Sequence, residues 1–375
     1  MPVTAAHQLR RIATNGVQLN VAIAGDGPAV LLLHGFPHTW QLWSGIMGRL
    51  AGQYRVIAPD LRGLGASARA VGGYDAGTLA ADAEGLLDAL GEPSAAVVGI
   101  DAGTAPAVLL ALRRPGLVRR LVVMEALLGR LPGAEHIVAG GAPWWFGFHA
   151  VPGLAETVLA GNEAPYIDWF LDSGTLGRGV PDDIRAAFVH AYTGSEALRC
   201  AFAYYRALPT SAQQIQDAVA TARLTMPTMA VGSHPVGTGL ERQLRPIADD
   251  LVGHHLQDCG HIIPDRPDAL FALLAPFLSA DLPSDRSGAE GSRSAVRAFD
   301  PAVSCPGPPD QAARGDDWTG EVEEGINDSD PTFGSAAGVH RHAGVADDVA
   351  LMVKAASAGG VVAGSPGWRC PARRR

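Results

Sequence analysis

Along the first third of the chain, short apolar runs alternate with stretches whose apolar residues recur at helical spacing. Residues 18–24, 29–33, 55–58, 95–100 and 121–124 read as strands, and two of them, 29–33 and 95–100, are apolar throughout. Strands covered by helices on both faces have that character, so these two are placed at the centre of a sheet. Residues 78–90 carry apolar positions at helical spacing and stop at Gly91. Residues 104–112 do the same and end at Arg113-Arg114-Pro115-Gly116. The alternation is that of an α/β fold, a mostly parallel sheet flanked by helices.

From residue 126 to 211 the alternation is lost, and the aromatic-rich segments 144–149, 166–170 and 197–208 read as helices. Strand and helix signals resume at 228–231, 241–251, 254–257 and 267–278. The spacing predicts a core in two pieces, 1–125 and 212–280, interrupted by a helical lid at 126–211. Such a lid lies over the C-terminal edge of the sheet, where open α/β folds bind ligands. Residues 281–375 are rich in Gly, Pro, Ser, Ala, Asp and Arg, with Phe299, Trp318, Phe333 and Trp368 as their only aromatics. They are expected to form a low-complexity, disordered tail without a catalytic role, apart from one short helix at 347–356. His340-Arg341-His342 reads as a solvated loop rather than a metal site.

Composition narrows the partners. The chain has 375 residues, 47% hydrophobic and 18% charged, with a formal net charge of -9. That balance supports a buried core and argues against nucleic acid or an anionic membrane surface, which need clustered Lys and Arg. Small neutral ligands fit better. The first residues lack the basic and apolar pattern of a secretory signal, and no apolar run approaches a bilayer span. Cys200, Cys259, Cys305 and Cys370 are widely spaced, without a paired ligand pattern, and are read as reduced thiols. The expected setting is the cytoplasm. Neither a metal nor an organic cofactor is indicated. The pattern leaves the oligomeric state open, a homodimer included.

The sharpest local signal is Val97-Val98-Gly99-Ile100-Asp101-Ala102-Gly103. A buried strand enters a Gly-x-Asp-x-Gly turn and then a helix, the setting in which a strained turn lifts a nucleophile above a sheet. Taken alone, Asp101 is equally an N-cap for the helix. A second element favours the nucleophile. The strand 29–33 ends in His34-Gly35-Phe36-Pro37, a turn suited to supplying half of an oxyanion hole, with the Phe36 and Ala102 N–H groups as donors and Pro37 fixing the turn. A third is Asp258-Cys259-Gly260-His261 after the last strand. The order nucleophile, acid, His, with His near the end of the core, makes His261 the base. The acid has two candidate places. After the seventh strand Gly232-Ser233-His234-Pro235 offers no carboxylate, whereas after the sixth Met124-Glu125-Ala126 does, and Glu125 is assigned.

Together the His-Gly-Phe-Pro loop, Asp60-Leu61-Arg62-Gly63-Leu64-Gly65-Ala66-Ser67, the Asp101 turn, Met124-Glu125-Ala126, Tyr204-Tyr205-Arg206-Ala207-Leu208 and Cys259-Gly260-His261 resemble the epoxide hydrolase branch of the α/β-hydrolases. More narrowly, they resemble bacterial epoxide hydrolases whose triad acid is a Glu after the sixth strand. The resemblance spans about residues 8–280. It implies an eight-stranded α/β-hydrolase fold, no cofactor, and a small hydrophobic substrate, an epoxide, opened to a vicinal diol through an ester on Asp101 that His261 and Glu125 then hydrolyse. It also implies Tyr205 as a lid donor to the epoxide oxygen. The second lid donor of such enzymes is a His in a Trp-His-Phe run. Here Trp144-Trp145-Phe146-Gly147-Phe148-His149 stands in its place, which leaves Trp145 and His149 as candidates. His34, Pro37, Trp144 and Phe148 are assigned to the substrate pocket. Ile100 departs from the family's usual His before the nucleophile. The competing readings are a haloalkane or haloacid dehalogenase using the same Asp ester, disfavoured by Ala102 where those enzymes carry Trp or Arg, and a non-catalytic small-molecule-binding protein.

Overall fold

The computed structural model describes residues 7–139 and 141–279. The expectations for 281–375, among them the helix at 347–356, Cys305, Cys370 and His340-Arg341-His342, lie outside the described residues. In chain order the elements are β1 (Gln8–Thr14), β2 (Val17–Ala24), β3 (Ala29–Leu33), α1 (Ser44–Leu50), β4 (Arg55–Pro59), α2 (Ala76–Leu90), β5 (Ala95–Ile100), α3 (Thr104–Arg113) and β6 (Val118–Met124). Then come α4 (Glu135–Val138), α5 (Trp144–Ala150), α6 (Leu154–Leu159), α7 (Glu163–Gly174), α8 (Asp182–Ala191), α9 (Ser195–Arg206) and α10 (Leu208–Val219). The chain returns to the sheet with β7 (Thr228–Gly232), α11 (Gly239–Leu244), β8 (Leu251–His255) and α12 (Pro267–Ser279).

The eight strands form one sheet in the order β1-β2-β4-β3-β5-β6-β7-β8. β1 and β2 pair antiparallel, as do β2 and β4, and every other pairing is parallel. This is the α/β-hydrolase fold. Every residue of β3 and β5 is buried, which is why both run apolar from end to end. The register sets the strand ends side by side. Leu33 pairs with Gly99, Ile100 with Met124, and Met124 with Val231, so the loops after β3, β5, β6 and β7 emerge along one edge.

Several elements differ from the sequence pattern for identifiable reasons. β1, QLRRIAT, is exposed at five of its seven residues and carries two arginines, so an edge strand shows little apolar alternation. The expected helix at 241–251 is only Gly239–Leu244, because Pro246 removes an N–H and biases Arg245 away from continued helix. The last strand is Leu251–His255 rather than 254–257, its register set by the pairing of Leu251 with Thr228. The segment 197–208 is not one helix. α9 closes at Arg206, and a new helix starts with Pro209 in its first turn, the position a proline tolerates. Among the described residues no helix is long and apolar enough to cross a membrane.

Candidate active site

Ile100 ends β5 in an extended conformation, Asp101 takes φ 51°, and a short 3-10 turn leads into α3. A left-handed backbone at a non-glycine residue stores strain of about 1–3 kcal/mol, tolerated where neighbours hold it. The neighbours are close. A side chain on Gly103 would strike the carbonyl oxygens of Leu33 and His34, so the turn seats directly against the end of β3. Thr104 Oγ1 donates to the Met124 carbonyl at 2.9 Å, tying the turn to the end of β6. The Phe36 N–H donates to Asp101 Oδ1 at 2.9 Å and the Ala102 N–H to the same oxygen at 2.5 Å. Burial pushes the Asp101 carboxyl up, opposed by these two amides and by the nearby His34. Among the described residues no hydrogen bond engages Oδ2.

His34 is buried and spent on the loop itself. Its Nδ1 meets the Gly35 carbonyl at 2.9 Å, and Nε2 accepts from Leu61 N–H at 3.1 Å. It supports the turn and reaches the site by its charge sensitivity rather than by an open face. Pro37 follows Phe36 through a cis peptide bond. The Phe36 ring is the hub of an aromatic cluster, with Phe170 at 5.1 Å, Tyr192 at 5.3 Å, His149 at 5.5 Å and Tyr205 at 5.7 Å between ring centroids.

Glu125 directly follows β6, also with positive φ, and is buried. Its Oε1 accepts from the Ser233 N–H, and its Oε2 is buried without a partner. Burial raises the carboxyl to about 7, with Ser233 and the Val236 N–H pulling it down. His261 makes no hydrogen bond to Glu125 or to Asp101. The connection runs instead through Ser233, whose hydroxyl donates at 2.7 Å to the carbonyl of Gly260, the residue before His261. The His261 loop is further pinned to the end of α7 by the Ile262 N–H, which donates to the Gly174 carbonyl at 3.0 Å. Burial, with the charge of His234 in the same direction, lowers His261 to about 4, so the ring is neutral near pH 7.

The helices between β6 and β7 bring Tyr205 and His149 together. Tyr205 senses the charge of Asp101, and burial foremost holds its phenol well above the ordinary range. Tyr204 turns away, donating to the Arg62 carbonyl at 2.8 Å. His149 is buried, stacked on Phe202 at 4.1 Å and edge-on to Tyr205 at 4.4 Å, with Nε2 at 2.6 Å from the Tyr166 hydroxyl. Trp145 packs on Phe170 at 5.5 Å and Trp169 at 5.8 Å instead, with no ring contact to Tyr205. Trp144 is 57% exposed and lies among Trp145, Phe148, Tyr166 and Trp169, on the outer side of the aromatic layer. Phe148 is partly buried against His149 and Tyr166. Sequence reasoning passed over Ser233, noticed only for lacking a carboxylate, and Tyr166, which sat in an aromatic segment without a motif. No pattern in the sequence marked either. Among the described residues no cluster of His, Cys, Asp and Glu could hold a metal ion.

Residues 28–167 match the family model of the α/β hydrolase fold. The soluble epoxide hydrolase of Corynebacterium sp. (strain C12) is 29% identical over 269 residues, covering 67% of this chain and 90% of that one. The AB hydrolase superfamily protein YfhM of Bacillus subtilis (strain 168) is 31% identical over 211 residues, 52% of this chain and 72% of that one. Among solved structures, the epoxide hydrolase CorEH without ligand superposes with a TM-score of 0.64 at 26% identity, covering 72% of this chain and 100% of that one. The chain is therefore an enzyme, a hydrolase, and belongs to the α/β-hydrolase superfamily in its epoxide hydrolase branch.

Proposed function

We propose that this hydrolase opens epoxides to vicinal diols through a covalent ester on Asp101. The observation that carries the reading is the pair of amides, Phe36 and Ala102, both donating to Asp101 Oδ1. With Oδ1 held, Oδ2 is the oxygen left to attack. It bonds to an epoxide carbon as the carbon–oxygen bond breaks, and the electron pair passes to the epoxide oxygen, which takes the Tyr205 proton. Of the two candidate second donors, His149 is the one that lies against Tyr205.

Water then attacks the ester carbonyl and gives a proton to His261, which is neutral and able to accept it. The charge that develops falls on Oδ1, already between the two amides, so no reorganisation is needed at that moment. Collapse of the intermediate expels the diol oxygen with the proton from His261, and the Asp101 carboxyl formed returns its proton through solvent to Tyr205. Glu125, linked through Ser233 to the His261 loop, is the acid that balances the imidazolium. The side chains packed around Phe36 are aromatic, which supports a small hydrophobic epoxide as substrate. The buried free thiols of Cys200 and Cys259 fit a reducing cytoplasm.

The test is a single turnover of styrene oxide in isotopically heavy water. Because water attacks the carboxyl carbon, the heavy oxygen should enter the Asp101 peptide and be absent from the first diol. In His261→Gln the ester should persist and be seen by intact mass. Heavy oxygen in the first diol with none in Asp101 overturns the reading. Halide release from a haloalkane panel without diol formation would assign the ester chemistry to dehalogenation, and no adduct with either class would leave a binding protein.

A further inference from the structure

The lid holds a polar pair that the steps above leave unused. Tyr166 of α7 and His149 of α5 meet at 2.6 Å, hydroxyl to Nε2, inside a layer otherwise made of Phe36, Phe170, Phe202 and Tyr205. The second ring nitrogen of His149, Nδ1, is buried and has no hydrogen-bond partner. A buried polar atom without a partner is destabilising, and one beside a reacting centre points to a group that arrives with the ligand.

Which nitrogen carries the proton follows from counting donors and acceptors. Burial lowers His149 to about 3, with Arg206 pushing the same way, so the ring is neutral and has one donor and one acceptor. Burial raises the Tyr166 phenol, so its O–H is retained. If Nε2 carried the proton and donated to Tyr166, the phenol proton would have no acceptor among the described residues, and the Nδ1 lone pair would also be unused. If the phenol donates to Nε2, the phenol proton and the Nε2 lone pair satisfy each other. One donor is then left free, the Nδ1–H, on a ring 4.4 Å from that of Tyr205.

We propose that Tyr166 fixes His149 as the Nδ1–H tautomer, and that this N–H donates to the same epoxide oxygen as Tyr205. The inference rests on the epoxide-opening reading for its second half only. In the step concerned, the Asp101 Oδ2 bond to carbon forms, the carbon–oxygen bond breaks, and the electron pair gathers on the oxygen. His149 keeps its proton and stabilises that charge, while Tyr205 supplies the proton. Tyr166 is thus a positioning residue, acting through His149.

The experiment uses the full chain labelled with [15N]histidine, the His149 signals being identified by their loss in His149→Phe. In the wild type Nδ1 should fall in the protonated, pyrrole-like range and Nε2 in the unprotonated, pyridine-like range. In Tyr166→Phe the single tautomer should be lost. Ester formation from styrene oxide should slow about tenfold, less than the roughly 100-fold that removal of an oxyanion donor brings, with ester hydrolysis unchanged. A wild-type His149 protonated on Nε2, or a tautomer unmoved in Tyr166→Phe, overturns the proposal without touching the epoxide reading. A tautomer that moves while ester formation keeps its rate overturns the donor role. A wild type with the expected tautomer that forms no ester with any epoxide overturns the epoxide reading, and with it the donor role alone.

Discussion

At the scale of single residues, the candidate site keeps groups in states that water would not favour. Glu125 is the clearest. Its carboxyl is raised from 4.5 to about 7 by burial, and Oε2 has no partner. A raised acid binds its proton more tightly in the folded chain, so its contribution to stability is present below about pH 4.5 and lost as pH climbs through 7. At pH 8 the folded protein bears the whole shift, roughly 3 kcal/mol at about 1.4 kcal/mol per unit. Glu125→Gln keeps the shape and removes the charge. It should raise the melting temperature at pH 8, change it little at pH 5, and slow ester hydrolysis while leaving ester formation intact. Thermal melts at the two pH values with single-turnover kinetics test this, and a variant less stable than wild type at pH 8 would contradict the burial argument. The identities of Asp101, Glu125 and His261 were legible as candidates because each stands at the end of a strand in a glycine-marked or motif-like turn. Their linkage was not. Ser233 joins Glu125 to the His261 loop through one backbone N–H and one hydroxyl, and such a bridge leaves no spacing rule in a sequence.

At the scale of elements, the apolar runs gave away β3 and β5 to the residue, since strands buried on both faces must be apolar throughout. The exposed edge strand β1 and the break at Ala207 between α9 and α10 were hidden, the first by its charges and the second by a continuous aromatic and apolar pattern. Between β6 and β7 the pattern identified aromatic helices but not their facing. Trp145 occupies the family's donor position in sequence, yet the ring that lies against Tyr205 is that of His149, one turn later. The contact between α7 and the His261 loop is likewise tertiary. A methyl placed on Gly174 would lie 2.6 Å from Ile262 Cγ1 and 2.7 Å from His261 Cε1, far inside van der Waals contact. Gly174→Ala should therefore displace the His261 loop. Because a shift near 1 Å can reduce a rate about 100-fold, ester hydrolysis should fall by about that factor, with ester formation nearly unchanged. Rapid-quench measurement of the two steps decides it, and equal slowing of both would show that the methyl disturbs the whole lid instead.

At the scale of the whole molecule, the fold holds several histidines neutral in the same small region. Burial lowers His261 to about 4 and His149 to about 3, and it lowers His34 and His38 as well. An unfolded chain protonates each of them near pH 6.5, so between there and the folded values the unfolded state binds more protons than the folded one. Stability must then rise with pH across that window and fall as the solution is acidified. Each histidine contributes up to about 1.4 kcal/mol per pH unit. Glu125 opposes them, since it takes up its proton in the folded state between about 7 and 4.5, and burial raises Asp101 and Asp265 in the same sense, three carboxyls against four rings. The melting temperature should drop steeply from pH 6.5 to pH 5, and His149→Phe, which removes one of these rings from an aromatic cage able to accept Phe, should flatten that slope. A melting temperature level or rising towards pH 5 would mean that the histidines are hydrated or paired in solution. Absence of the flattening in His149→Phe would place the acid sensitivity on His34, His38 and His261 instead.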